Sequence, residues 1–141
     1  MTEARIREAT PDFEPTDRQR TMFDMMSWDD VAGLDPCLIT IGSHTLTHPI
    51  LTTLDPEALE RELVDSRRRL EERLGREAAI FCYPNGSSDA LVRDHVKAHY
   101  RAAVTTVPGF VTRGADLYQL NRVSAEPRLS YFAWRMHRPL A

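Results

Sequence analysis

Residues 55–75, DPEALERELVDSRRRLEERLG, constrain the fold more than any other stretch of this 141-residue chain. Asp55 can cap a helix that begins at Pro56, where the absent N–H is one the helix would leave unpaired anyway. Leu59, Leu63, Leu70 and Leu74 fall on one stripe, and Gly75 supplies the stop. A helix with a single apolar stripe must bury it against another layer. Short apolar runs that could form that layer lie on both sides: CLITIG (37–42), between Pro36 and Gly42 itself, and AAIFCY (78–83). Both read as buried strands, because they are brief and rich in branched or aromatic residues.

The pattern continues downstream. DALVRDHVKAHY (89–100) has helical periodicity, with Ser87 or Ser88 as its starting cap; RAAVTT (101–106) reads as a third strand and YQLNRVS (118–124) as a weaker fourth. Upstream, Ser27 can cap a short helix from Trp28, with Asp30 at the third helical position and an end near Gly33. SYFAWRM (130–136) reads as a closing helix. Residues 1–20 carry many charges and few large apolar side chains, and are expected to be a loosely ordered lead-in to a domain over 21–141.

Strands alternating with helices at this spacing define the fold class as α/β with parallel βαβ units, whose functional residues gather at the C-terminal ends of the strands. Closing such a sheet into a barrel takes about eight strands, and the sequence offers about four. Either the sheet is open or part of a barrel is absent.

Composition narrows the functional classes. A hydrophobic content of 42% with 28% charged residues is that of a globular domain, and a net charge of −3 gives no basic footprint for nucleic acid. The one dense basic run, SRRRLEER, lies on the long helix among Glu60, Glu62, Asp65, Glu71 and Glu72, where neighbours three or four apart offset one another. Cys37 and Cys82 are too few for a thiolate metal knuckle. The N-terminus lacks the apolar segment of a signal peptide and no run is long enough to span a bilayer, so the chain as written is expected to stay in the cytoplasm.

SHTLTH (43–48), closed by Pro49, follows CLITIG directly and so falls at a strand end. Neutral imidazoles bind zinc and similar borderline metals, and His44 and His48 are spaced to reach one ion from a tight turn. The spacing alone favours loop histidines bonded to backbone, and it is the context that raises the metal reading. Around them, Ser43, Thr45 and Thr47 supply hydroxyls able to fix ligand orientation, whereas a histidine pair on a core helix would have apolar neighbours.

These residues resemble a known family. IGSHTLTHP is similar to the second motif of the metal-dependent polysaccharide deacetylases, which include chitooligosaccharide, chitin and peptidoglycan deacetylases, and the likeness runs on through LDPEALERELVDSRRRLEERLGR, FCYPNG and YRAAVTTVPGF, over roughly residues 26–124. The resemblance implies part of a distorted parallel (β/α) barrel and hydrolysis of N- or O-acetyl groups on a glycan by a water that a divalent metal, usually zinc, activates. It implies that His44 and His48 are metal ligands. It also implies that the turn of Tyr83, Pro84, Asn85 and Gly86 lines the substrate groove, the Asn85 N–H holding the developing oxyanion, and that Leu120 belongs to the final motif.

Other parts of the family pattern depart or are missing. The first motif, Thr-Phe-Asp-Asp-Gly, supplies the catalytic base and a third ligand, and no such segment occurs in the 141 residues. Asp24, Asp29 and Asp30 lack the following glycine and read as capping and surface carboxylates. Cys82 stands where many members place arginine, Asn85 where tyrosine is more usual, and no histidine closely follows Leu120; His137 is remote. The chain therefore reads as a partial domain lacking the first barrel strands, with little deacetylase activity expected in isolation. The alternative is an inactive or truncated homologue that binds glycan or metal, self-associates, or completes its barrel with a partner. A structural α/β domain whose histidines only bond the loop is a third reading. His95 and His99 on the second long helix are expected to be partly buried or surface residues, and the aromatics Trp28, Tyr131, Phe132 and Trp134 core residues, rather than a second site.

Overall fold

The computed structural model describes residues 8–14, 16–23, 25–125 and 127–137. Two compact units result, Met1–Gly33 and Leu34–Ala141. The first contains α1 (Asp17–Phe23) and α2 (Trp28–Ala32). Ser27 caps α2 as its sequence predicts: the hydroxyl accepts the Asp30 N–H while the Asp30 carboxylate accepts the Ser27 N–H, satisfying two helix-end donors reciprocally.

The second unit is built on α3 (Pro56–Leu74), β1 (Ile80–Cys82), α4 (Ala90–His99), β2 (Ala102–Pro108), β3 (Leu120–Arg122) and α5 (Leu129–His137). Asp55 caps α3 through the Ala58 N–H, and Gly75 ends it in the left-handed region at φ 61°. The strands form one parallel sheet in the order β1–β2–β3. Phe81 faces Ala103 and Cys82 faces Val104, which in turn faces Leu120. The architecture is that of a partial (β/α) barrel. β2 and β3 are joined by turns over 109–119 rather than by a helix.

Leu59 and Leu63 of α3, Val92 and Val96 of α4, Phe81 and Ala103 of the sheet, and Tyr83 just after β1 form one core with Leu51 and Tyr100. Each large apolar side chain removed from water here contributes about 1.5–3 kcal/mol, so Leu59 and Leu63, the half of the stripe that reaches the core, are the main reason α3 lies where it does, while Leu70 and Leu74 stay partly exposed. Leu51, in a short 3₁₀ turn (Leu51–Thr53), carries the chain after the histidines into this core.

Three sequence expectations change. CLITIG forms no strand; pairing is limited to a single bridge just after it, Ser43 with Phe81. The Asp35 carboxylate accepts the Cys37 N–H and its carbonyl accepts those of Leu38 and Ile39, which curls the run into a turn and leaves Leu38 82% exposed. The cap of α4 is Asp89, bonded to the Val92 N–H, not Ser87 or Ser88; the Ser87 hydroxyl instead meets that of Thr52. Finally, α5 forms as expected but buries none of its residues; Tyr131 and Trp134 stack on each other, half exposed, instead of joining a core. Among the described residues, no helix is long and apolar enough to cross a membrane.

Candidate metal and substrate site

The histidine loop is fixed from both ends. At its start, Ser43 is fully buried: its N–H donates to Ile80, its carbonyl accepts the Cys82 N–H, and its hydroxyl lies 2.7 Å from that of Ser66 on α3. Leu51 anchors the other end in the core. Between these points the backbone enters the left-handed region at two residues without glycine's freedom, Thr45 (φ 68°) and His48 (φ 61°). Each costs of order 1–3 kcal/mol and persists only when its surroundings over-determine it.

Those surroundings are polar and specific. The Thr45 hydroxyl donates to the His44 carbonyl and accepts the His48 N–H at 3.0 Å. One carboxylate, Glu62 of α3, accepts the Leu46 and Thr47 N–H groups at 2.7 and 2.9 Å and the Thr47 hydroxyl at 2.6 Å. Partial burial pushes the pKa of Glu62 up, but these donors outweigh it and hold the carboxyl below its ordinary value. Ser43, Thr45 and Thr47 thus all serve the loop geometry their composition suggested.

The two imidazoles meet edge to face with ring centres 4.8 Å apart, on the exposed side of the loop. His44 Nδ1 lies 2.7 Å from the Cys82 carbonyl oxygen. A carbonyl only accepts, so Nδ1 carries the proton, and in the neutral ring Nε2 is left with a bare lone pair. This is the orientation in which a ligating histidine is held by an outer partner. The donor set therefore suits a borderline divalent metal, with His44 and His48 as the residues that would hold it. Among the described residues no third histidine, cysteine or carboxylate joins them in a potential metal-holding group.

The turn after β1 is tightly specified. Asn85 adopts φ 55° and Gly86 φ 72°; a Cβ on Gly86 would lie 2.1 Å from Thr106 Oγ1, so only glycine fits. The N–H groups of Gly86 and Ser87 are used by the turn itself, donating to Tyr83 and Pro84, while the Asn85 N–H makes no hydrogen bond among the described residues. Pro84 is buried. The Tyr83 ring lies in the core and its hydroxyl donates to the Tyr118 carbonyl; burial pushes its pKa up to about 12. Leu120 is half buried beside Val104 on the sheet. Burial also raises the Cys82 thiol, against the opposing charge of Arg122.

Other candidates go elsewhere. Asp30 completes the α2 capping box from the third helical position and Asp29 lies exposed in that helix's first turn, while Asp24 lies outside the described residues. His95 and His99, one turn apart on α4, share Glu60 of α3: His95 Nδ1 is 3.0 Å from one carboxylate oxygen and His99 Nε2 is 2.7 Å from the other. His137 ends α5. Glu62 was not legible as a site residue, since in the sequence it is one acid among several on a charged helix.

A parallel α/β fold of partial-barrel type, with paired imidazoles on a strained loop beside a strand end, defines the class of scaffold. The comparisons give the class its family: the polysaccharide deacetylase model matches residues 26–104, more than half of the chain, and the chain belongs to that family. It is 32% identical over 93 residues to YxkH of Bacillus subtilis (strain 168), whose name places it among the polysaccharide deacetylases; the match covers 65% of this chain and 33% of that protein. Among solved structures, BA0330 of Bacillus anthracis, whose name likewise places it among the polysaccharide deacetylases, is similar at 30% identity with a TM-score of 0.68, over 78% of this chain and 36% of its own. The Streptococcus pyogenes deacetylase PplD, in complex with acetate, shares the fold with a TM-score of 0.72 at 21% identity, over 84% of this chain and 54% of its own. The chain thus spans about a third of the length of the curated relative it matches.

Proposed function

We propose that this chain carries the histidine-bearing part of a metal-dependent deacetylase that hydrolyses acetyl groups on a glycan, with zinc as the metal. The observation that carries the reading is the bond from His44 Nδ1 to the Cys82 carbonyl, which turns Nε2 into a fixed donor beside the His48 ring. A divalent ion held there would supply Lewis-acid polarisation of the acetyl carbonyl and of the attacking water. The chain's own residues do the rest of what can be derived: Ser43 and Glu62 hold the loop, His44 and His48 present their nitrogens, and the Asn85 N–H is available to the oxyanion of the acetyl group. A backbone donor suits that role, because it is insensitive to asparagine standing where tyrosine is usual.

Elemental analysis after zinc loading tests the metal reading: the unmodified chain is expected to retain zinc, and His44→Ala and His48→Ala to lose it. Equal, negligible zinc in all three would overturn the reading. Acetate release from acetylated chitooligosaccharides and from simple acetyl esters, measured on a protein containing this chain, tests the substrate class.

A further inference from the structure

We infer that Glu62 is a positioning residue for the metal site: from α3 it sets the backbone between His44 and His48, and so fixes the geometry in which the two imidazoles are presented. The inference rests on the metal reading above. Glu62 touches neither histidine. Its three accepted bonds all fall on Leu46 and Thr47, the residues between the two left-handed positions Thr45 and His48. Two N–H groups that the turned loop cannot pair internally thereby gain a single charged acceptor, and bonds to an ionised acceptor are the stronger class.

α3 grips the loop twice on one face. Ser66, one helical turn beyond Glu62, meets the buried Ser43 hydroxyl. His44 thus lies between two attachments to the same helix, at 43 and at 46–47, while Leu59 and Leu63 fasten that helix to the core. The placement of the ring nitrogens is passed to the loop from the hydrophobic core through Glu62 and Ser66. Residues that orient metal ligands from outside typically change metal affinity about 10- to 100-fold when removed.

The experiment titrates zinc into the unmodified chain and into Glu62→Ala, Glu62→Gln and Thr47→Val, with circular dichroism confirming that each is folded, and follows amide exchange at Leu46 and Thr47 without metal. Glu62→Ala is expected to weaken zinc about 10- to 100-fold, with Thr47→Val weaker by less. Glu62→Gln, which keeps a carbonyl oxygen for both N–H groups, is expected to restore most of the affinity and the amide protection. A purely electrostatic role for the carboxylate would instead make Gln as damaging as Ala, and that result overturns the inference. So does unchanged zinc affinity in folded Glu62→Ala, which leaves the metal reading standing. If the unmodified chain and the histidine variants all fail to bind zinc, the metal reading falls; unchanged protection of Leu46 and Thr47 in Glu62→Ala then shows in addition that the loop is not held by Glu62.

Discussion

At the scale of single residues, the molecule places its strain in two turns and leaves the rest of the described backbone ordinary. Thr45, His48 and Asn85 are the non-glycine residues with positive φ among those described, and all three lie in segments that the sequence marks as functional. The neighbour of Asn85 carries a sharper test. Gly86→Ala would place a methyl group against Thr106 Oγ1 at φ 72°, and is expected to destabilise the chain by more than 1 kcal/mol, read as a lower urea midpoint. That the two imidazoles share one turn was legible from their spacing and from the proline that closes it. Glu62 was not, because nothing along the chain distinguishes an acid that meets two distant amides from one that faces water.

At the scale of elements, the legible parts were those specified locally. α3 carries its cap, its stripe and its stop within twenty-one residues, and forms over Pro56–Leu74 as read. CLITIG failed because Asp35 offered its backbone a competing turn, a local bond that outweighed strand propensity. The pairing of α3 with α4 also lay outside the sequence, since Glu60 and the His95–His99 pair are thirty-five or more residues apart. That pairing has a pH consequence. The His95 bond, with the positive potential of His99, holds Glu60 below its ordinary value of 4.5, and Arg67 does the same for Glu71. Both carboxyls bind a proton less tightly folded than unfolded, so their contribution is present above about pH 4.5 and is lost as pH falls through the lower folded values. Thermal midpoints are therefore expected to fall on acidification below pH 4.5, and Glu60→Gln to flatten that slope without abolishing it; an unchanged slope would exclude Glu60 from the acid response.

At the scale of the whole molecule, the described sheet has three strands where a closed barrel needs about eight, and the chain matches a third of its curated relative. Function in this family is therefore proposed for a larger arrangement, while the histidine loop and the Asn85 turn are complete as local structures. Their support comes from α3, β1 and the core between them, all within residues 34–141. One feature of that support bears on how such a scaffold can vary. His44 is oriented by the carbonyl of residue 82 and not by its side chain. The identity of that side chain is thereby decoupled from the tautomer of His44, so a change of side chain at position 82 leaves the bond that steadies the imidazole in place. Cys82→Arg is accordingly expected to leave zinc affinity within about threefold, while the same titration would expose any hidden dependence on the thiol.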